Sequence, residues 1–510
     1  MDVRMSFDDA AWERSDEIFD AWKRKLHQED TLRAIGTLII KHRGGVPEEL
    51  CPPMRGAFNV CIRMKFKDGG SALIRFPCPG VSMFPEEKVR QEVATMRFLA
   101  EKTSIPVPFI LHYGMTDESP HHLGPFIIMD YVEHAYTMTA ALNRPDLGWE
   151  DRPILDPHVS QDRLEFVYGQ MAEILLQLSQ LSFPRICSLA PVDDDGDDDS
   201  GVIASRPLTF NMNDLVQLGN FPRRKLISGA YDTSSSYFEA LAKMTVTHLS
   251  TQHNDAISSA TDCRRKYVGR RLFQELASQG RLTHFEEDDS GPFRLFCDDL
   301  RPANVLVNDE FKIVAVIDWE YTYAAPAELT FSPPWWLVLE APEYWPTGLQ
   351  GWAEAYEPRL NTFLRVLEGK ERDAIERGSL RNSSSQNPRL LSARMRESWD
   401  SGAFWVAYAA RRSWAFDAIF WVFLNERFFG EGKWLGYEDR IEMLGDDSVE
   451  TRGRMEAFVE RKLEESRTRT LLDWEHTETM TEAAAAAPIE TAAIRAPDLD
   501  EKEQANGNFF

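Results

Sequence analysis

Residues 295–320 constrain the fold of this chain more than any other stretch of its sequence. Two short apolar runs are separated by a polar turn at 308–310, a pattern that predicts a β-hairpin. The hairpin would bring Asn304, which precedes the first strand, beside Asp318, which follows the second. Asp299 lies five residues before Asn304, on the loop that leads into the same edge. The sequence therefore predicts that three polar side chains meet at one end of a small sheet.

Asp299, Asn304 and Asp318 all carry side-chain oxygens, which are the ligands that a hard divalent cation prefers. This pattern predicts a magnesium site with one spare carboxylate. The alternative is that acids and amides in turns cap their own backbone, and for any one of these residues that alternative is favoured. The three together, between two strands, favour a functional site.

The same stretch resembles the catalytic loop of the aminoglycoside phosphotransferase family, small-molecule kinases with the bilobal protein-kinase fold. Their signature is H-x-D-x-x-x-x-N, followed by a β-hairpin and a metal-binding Asp. The resemblance implies that Asp299 accepts or orients the proton of a substrate hydroxyl. It implies that Asn304 and Asp318 hold the magnesium ions that bridge the phosphates of ATP, and that Arg301 neutralises charge on the transferred phosphoryl group.

This sequence departs from the family signature at two positions. Cys297 stands where the family carries His, and Asp298 places a second acid directly before Asp299. A buried Cys can pack in place of a structural His. The spacing to Asn304 favours Asp299 over Asp298 as the catalytic base.

Upstream, the sequence predicts a β-hairpin at 60–76, a helix at 86–102 and a strand at 126–129. The resemblance implies that Arg75 takes the place of the lysine that binds ATP phosphates. Glu92 would be its ion-pair partner on the following helix.

The resemblance also implies an adenine site in this part of the chain. Leu73 would lie over the adenine ring, and Met129 and Tyr131 would belong to the hinge, whose backbone groups meet the base. The nucleotide loop is represented by Gly56 alone, with no GxGxxG pattern.

The predicted fold class is α+β: a bilobal protein-kinase-like fold with a small β-rich N-lobe and a larger, mostly helical C-lobe. The predicted segments are a helical extension at 1–34, the N-lobe at 35–132, the C-lobe at 133–472 with an insertion at 185–285, and a disordered tail at 473–510. The C-lobe includes a predicted amphipathic helix at 164–181 and a predicted aromatic-rich helix at 404–429. An acidic run at 193–199 is predicted to be a solvated loop.

The charge balance limits the classes of partner. The 57 basic and 82 acidic side chains give a formal net charge of −25, which disfavours nucleic acid or an anionic membrane as a partner. The first residues lack the apolar core of a secretory signal, and no stretch is long and apolar enough to span a membrane. The six cysteines show no metal-binding spacing, and together these features predict a cytoplasmic protein with reduced thiols. The oligomeric state is left open.

The function predicted from the resemblance is ATP- and magnesium-dependent phosphoryl transfer to the alcohol group of a small hydroxylated metabolite. One alternative is a pseudokinase that serves as a nucleotide-binding or scaffold module, as Cys297, Arg75 and the missing glycines suggest. Another is transfer onto protein hydroxyls. Aromatic and acidic residues at 333–345 could form a pocket for a cationic or hydroxylated ligand, or a core between helices.

Overall fold

The computed structural model describes residues 3–148, 150–191, 202–380, 390–430, 436–444 and 448–471. The α-helices in chain order are α1 (Asp9–Leu26), α2 (Glu29–Arg43), α3 (Pro85–Lys102), α4 (Met138–Leu142), α5 (Gln161–Gln180), α6 (Phe210–Leu218), α7 (Ser234–Thr251), α8 (Ala260–Ser278), α9 (Ala327–Thr330), α10 (Gly348–Glu376), α11 (Leu391–Asp400), α12 (Ala403–Arg411), α13 (Phe416–Ile419), α14 (Asn425–Phe429), α15 (Tyr437–Arg440) and α16 (Ser448–Glu465). The strands are β1 (Pro47–Leu50), β2 (Met54–Arg55), β3 (Asn59–Phe66), β4 (Ser71–Pro77), β5 (Ile110–Gly114), β6 (Phe126–Asp130), β7 (Tyr136–Thr137), β8 (Ser182–Phe183), β9 (Ser188–Pro191), β10 (Val202–Ser205), β11 (Phe293–Cys297), β12 (Val305–Val307), β13 (Ile313–Val316) and β14 (Thr322–Ala325).

The N-terminal part is built on a six-stranded antiparallel sheet in the order β1-β3-β4-β6-β5, with β2 paired to β3. Strand β3 alternates buried and half-buried residues, as expected for the period of two in its sequence. The turn to β4 contains Gly69 at a φ of 87°, a conformation that glycine adopts without steric cost. The predicted hairpin is therefore present.

Helices α1 and α2 cover one face of this sheet and form a separate hydrophobic cluster with it. Both the helices and the strands contribute apolar side chains to this cluster. Its members include Phe19, Trp22, Ile35 and Ile39 from the helices and Ile62, Ile74, Phe76 and Ile128 from the strands. Because α2 runs through residue 35, the predicted boundary between the helical extension and the N-lobe falls inside a helix.

The C-terminal part is mostly helical, and the strands described there form the small sheets β14-β11-β8, β13-β12-β7 and β10-β9. Leu215, Tyr237 and Phe273, all from the predicted insertion at 185–285, are fully buried in the main hydrophobic cluster. That segment contributes to the core of the C-terminal part. The predicted α+β class with a β-rich N-lobe and a helical C-lobe is confirmed, and the domain boundaries stay a prediction.

The predicted helix at 404–429 is not continuous, which corrects the sequence interpretation. Helix α12 ends at Arg411, and a short α-helix and a π-helical turn follow from Phe416. At the break, the Ser413 amide donates to Asn211 Oδ1 (3.2 Å), and the Trp414 carbonyl accepts from the Met5 amide (2.8 Å). These bonds to other parts of the chain replace the hydrogen bonds that a continuous helix would make.

Residues 3–8, which we call the strap, cross the C-terminal part before α1 begins. Besides the bond from Met5, the Ser6 carbonyl accepts from Gln252 Nε2 (2.9 Å). The Asp8 carboxylate accepts from Asn254 Nδ2 (2.9 Å) and caps α1 through the Ala11 amide (3.0 Å). The strap thus fixes the start of α1 on the C-lobe.

No helix within the described ranges has both the length and the apolar character that crossing a bilayer requires. The predicted solvated loop at 193–199 and the predicted disordered tail at 473–510 lie outside the described residues.

A buried ion pair joins α8 to α13. Arg270 donates to both carboxylate oxygens of Asp417 (3.0 and 2.7 Å), and both side chains are almost fully buried. We expect Arg270→Ala to lower the free energy of unfolding by about 3–5 kcal/mol, because it leaves a buried carboxylate without its cation. Urea unfolding measures this, with Lys243→Ala on the exposed face of α7 as the control, expected within about 0.5 kcal/mol of wild type. Equal stability of the two variants would contradict a structural role for the pair.

Candidate active site

The loop after β11 holds Asp299 in a network with two neighbours. Its Oδ1 accepts from Arg301 Nε (2.8 Å), and its Oδ2 accepts from Asn304 Nδ2 (2.8 Å). Burial raises the pKa of Asp299 to about 6; the nearby acids Asp318 and Glu320 add to the rise, and Arg301 opposes it. A carboxyl group with this pKa is ionised at neutral pH yet basic enough to take up a proton.

The predicted hairpin brings Asp318 to the same loop. The Ile317 amide donates to the Asn304 carbonyl (2.9 Å), which joins the end of β13 to the start of β12. Asp318 has a φ of 57°, in the left-handed region where Asp is tolerated better than most residues. Its side chain is 27% exposed, and its Oδ1 is paired with Arg75.

The oxygen ligands that a magnesium ion would need are present at this site. Asp318 Oδ2 and Asn304 Oδ1 accept no hydrogen bond from any residue that the structure describes. Within the described ranges, no group of three or more His, Cys, Asp or Glu side chains is placed to hold a metal. An amide and a carboxylate fit Mg²⁺, which commonly takes one or two protein ligands together with substrate phosphates and water.

Arg75 of β4 lies between two carboxylates. Its two terminal nitrogens pair with Glu92 of α3 and with Asp318, and it is 5% exposed. Burial would lower the pKa of Arg75, but the two carboxylates outweigh it and raise this pKa. Burial raises the pKa of Glu92, and Arg75 opposes that rise. The structure therefore brings together the ion pair implied by the resemblance and extends it to the candidate metal ligand.

A second buried ion pair lies beside the first, and the sequence analysis missed it. Lys88 Nζ contacts Glu320 Oε2 (2.6 Å) and donates to Asn59 Oδ1 (3.0 Å), while Asn59 Nδ2 donates to the same Glu320 oxygen (3.1 Å). Both charged side chains are 2% exposed. Burial alone would raise the pKa of Glu320, but Lys88 and Arg75 hold it below its usual value. Lys88 precedes Glu92 by four residues on α3, and this spacing was the one feature of the sequence that could have indicated an ion pair of Lys88.

We call Arg75, Lys88, Glu92, Asp318 and Glu320 the interlobe ion cluster. In this cluster, Lys88 of α3 contacts Glu320, and Arg75 of β4, which is paired with Glu92 of α3, contacts Asp318. The position of the candidate metal ligand therefore depends on the N-lobe sheet and on α3.

The two adjacent acids of the loop, Asp298 and Asp299, have different partners. Asp298 Oδ1 pairs with Arg411 Nη1 of α12 (2.5 Å), whereas Asp299 contacts Asn304. Cys297, in place of the family His, donates to the Glu320 carbonyl (Sγ to O, 3.7 Å), and burial raises the pKa of its thiol. A cavity of about 60 Å³ behind this loop is lined by Cys297, Asp298 and Arg411 but not by Asp299. This arrangement supports Asp299 as the candidate base.

The residues implied in nucleotide binding are less completely assembled. Leu73 lies on the same face of β4 as Arg75 and is paired with Met129 of β6. The Tyr131 ring is covered by the guanidinium of Arg63 (3.7 Å to the ring centre), and the Tyr131 amide donates to the Ser71 carbonyl (3.1 Å). The Tyr131 amide and ring are thus already engaged by protein groups.

Gly56 lies in the turn between β2 and β3. Its amide donates to the Asn59 carbonyl (2.8 Å), and a Cβ placed there would lie 3.5 Å from that oxygen, an ordinary contact. No steric constraint therefore requires glycine at this position of the implied nucleotide loop.

The N-lobe sheet, α3 and the loop after β11 define a protein-kinase-like fold with an acid, an amide and a second acid at the junction of its lobes. A family model described as "Phosphotransferase enzyme family" (APH) matches residues 65–363. The chain belongs to this family, which confirms the resemblance that the loop predicted.

Curated relatives are distant and longer. "Altered inheritance of mitochondria protein 9, mitochondrial" of Yarrowia lipolytica is 26% identical over 308 residues, 54% of this chain and 50% of that protein. The protein of that name in Clavispora lusitaniae is 25% identical over 276 residues, 49% of this chain and 43% of that protein. The chain spans about half the length of the curated relatives it matches. A solved structure, Plasmodium vivax ethanolamine kinase, is 12% identical, with coverage of 84% of this chain and 92% of that chain and a TM-score of 0.39.

The predicted cytoplasmic location is wrong. Three relatives, from 22% to 26% identical, are named as mitochondrial proteins. The cysteines are free, but reduced thiols do not identify which compartment of the cell holds a protein.

Proposed function

We propose that this protein transfers the γ-phosphoryl group of ATP, with magnesium, to a hydroxyl group of a small molecule. The observation that carries the proposal is the single network that links a candidate base to candidate metal ligands: Asp299 to Asn304, Asn304 to the end of β13, and Asp318 to Arg75. Family membership supports this class of reaction.

In the proposed mechanism, Asp299 accepts the proton of the acceptor hydroxyl as the hydroxyl oxygen bonds to the γ-phosphorus of ATP. The bond from that phosphorus to the bridging oxygen breaks at the same time, and ADP leaves with the bond's electron pair. Arg301 orients the Asp299 carboxylate through Nε, and its side chain is 38% exposed, so its remaining donors can meet phosphoryl oxygens. Asn304 and Asp318 would hold magnesium, which when bound neutralises charge on the nucleotide phosphates. Arg75 fixes the orientation of Asp318 through their ion pair. Catalysis would come mainly from positioning and charge neutralisation.

One observation favours the alternative, a pseudokinase that acts as a nucleotide-binding or scaffold module. Arg63 lies opposite Leu73 in the β3–β4 register, and it is held there by Tyr131, Ser71 and Glu133. Its guanidinium therefore occupies the region beside Leu73 where the adenine ring was expected. A nucleotide would have to displace Arg63 or stack upon it.

Nucleotide binding and turnover together distinguish these functions. For the proposed enzyme, we expect MgATP at about 100 times its dissociation constant to stabilise the protein by about 2.7 kcal/mol. ADP formation should then depend on an added hydroxylated acceptor. Thermal unfolding with and without MgATP measures the first effect, and a coupled ADP assay over a metabolite panel measures the second. Stabilisation without turnover would favour the nucleotide-binding module, and neither effect would favour the scaffold.

A further inference from the structure

We infer that this protein binds one magnesium ion with each nucleotide, and not two, because Arg75 occupies the Asp318 oxygen that a second ion would need. The inference rests on the proposed function and concerns the metal content of the same site. In protein kinases, one Asp and one Asn hold two magnesium ions. The family resemblance implies these roles for Asp318 and Asn304, so a one-ion site would be a property of this chain.

Arg75 is held in its place on Asp318 by a second carboxylate, that of Glu92. One terminal nitrogen of the guanidinium pairs with Asp318 Oδ1, and the other pairs with Glu92 Oε2. Both Arg75 and Glu92 are almost fully buried. If Arg75 moved away, the Glu92 carboxylate would lose its cation, and an unpaired buried charge is strongly destabilising. We therefore expect the contact with Asp318 to persist when a nucleotide binds.

The shape of the arginine side chain allows it to pair with both carboxylates at once. A guanidinium donates from two terminal nitrogens in a fixed plane, whereas the ammonium group of a lysine is a single point charge. Position 75 is where the family resemblance implies a lysine. A lysine there could pair closely with Glu92 and leave Asp318 free. Arginine in place of lysine thus ties one oxygen of the candidate metal ligand to the N-lobe.

The neighbouring acids are engaged by protein groups. Both oxygens of Asp299 accept hydrogen bonds, one of them from Asn304 (2.8 Å). Glu320 is buried, and its Oε2 contacts Lys88 Nζ (2.6 Å). Asp318, by contrast, is partly exposed, and its Oδ2 accepts no hydrogen bond from the described residues. Mg²⁺ is usually bound through one or two carboxylates together with phosphates and water, so this free oxygen suits one ion.

A second ion would be repelled at Asp318 Oδ1. On that oxygen it would lie next to the guanidinium of Arg75, and because Arg75 is buried, water and salt would screen the repulsion only weakly. An ion that avoided this oxygen would have to share Oδ2 with the first ion or depend on the neutral amide of Asn304. Each of these arrangements weakens the second ion, whereas the first ion keeps both Asp318 Oδ2 and Asn304 Oδ1.

Manganese can be used to count the bound ions, since Mn²⁺ takes the same oxygen ligands as Mg²⁺ and its free form is measured by electron paramagnetic resonance. Mn²⁺ is titrated into the full chain with an equimolar non-hydrolysable ATP analogue, and the analogue alone gives the background. We expect one bound Mn²⁺ per wild-type protein. Arg75→Lys should bind a second Mn²⁺, at least about 10-fold more tightly than any second ion in wild type. The matched control, Arg90→Lys on the exposed face of α3, should bind one.

A second variant protects the test against misfolding of Arg75→Lys. Arg75→Met combined with Glu92→Gln removes both members of the buried pair, so it frees Asp318 Oδ1 without leaving an unpaired charge beside it. This double variant should also bind a second Mn²⁺. Thermal unfolding establishes which of the two variants is folded.

The number of bound ions and the turnover separate this inference from the proposed function. Two tightly bound Mn²⁺ ions in wild type would overturn the inference, and turnover of an acceptor would leave the phosphotransferase proposal standing. One ion in wild type and still one in the folded variants would also overturn it, because Arg75 would then not exclude the second ion. One ion in wild type, a second in the variants and no turnover would support the one-ion site and count against the enzyme. No Mn²⁺ beyond the background would overturn both proposals.

Discussion

Asp299→Asn is expected to lower the turnover number by about 100-fold or more, because the amide cannot take the proton of the acceptor hydroxyl. The affinity for magnesium nucleotide should change by about twofold or less, since Asp299 is not among the proposed metal ligands. Steady-state kinetics and calorimetry measure the two quantities. Asp309→Asn, in the exposed turn of the same hairpin, is the matched control and should retain full activity.

The pH dependence of the wild-type enzyme checks the same role. Burial raises the pKa of Asp299 to about 6, so the carboxyl is protonated below that pH and ionised above it. Because the base must be ionised, kcat/KM should rise with pH through about 6 and then level off, as long as no other group limits the rate. The Asp299→Asn variant should lack this rise of kcat/KM with pH. Turnover retained in Asp299→Asn, with an unchanged pH profile, would exclude Asp299 as the base.

Asp318→Asn is expected to have the second large effect, a loss of magnesium-dependent nucleotide binding by about 100-fold. The substitution removes the carboxylate that would face the metal and also one of the two ion-pair partners of Arg75. Calorimetric titration with ATP, with magnesium and with EDTA, measures the difference that the metal makes. For the variant this difference should nearly vanish.

Two controls accompany the Asp318 experiment. Glu310→Gln, in the exposed hairpin turn, should keep the magnesium dependence of wild type. Thermal unfolding of Asp318→Asn establishes that the variant protein is still folded although its interlobe ion cluster has lost one carboxylate. An unchanged effect of magnesium in a folded Asp318→Asn protein would contradict its role as a ligand.

The parts of the site that sequence could predict are those built from local patterns. Asn304 and Asp318 are joined by a short hairpin whose strands and turn are evident in the apolar pattern. Arg75 and Glu92 lie on consecutive elements, a strand and the helix that follows it, and their pairing was implied by the family resemblance. The local pattern predicted those two elements but not the contact between them.

The parts that sequence missed depend on distant partners. Glu320 accepts a hydrogen bond from Asn59 across 261 positions of the chain. The spacing of Lys88 to Glu92 on α3 suggests an ion pair on the helix surface, but it does not identify distant Glu320 as the partner with which Lys88 is buried. The break after α12 has the same cause, since Asn211 binds the Ser413 amide from 202 positions away. Local periodicity predicted one long helix there because it contains no information on competing acceptors.

The strap also limits how the two lobes can move. The backbone passes between them at the hinge after β6 and again where the strap, bound to Trp414 and Gln252, enters α1 on the N-lobe sheet. A lobe that is connected at two separate points rotates most freely about the line through both points. Rotation of the N-lobe about that axis is therefore favoured over a wide hinge opening between the lobes. For the nucleotide exchange that the proposed function requires, a slight tilt of the N-lobe about this axis would open the junction of the lobes.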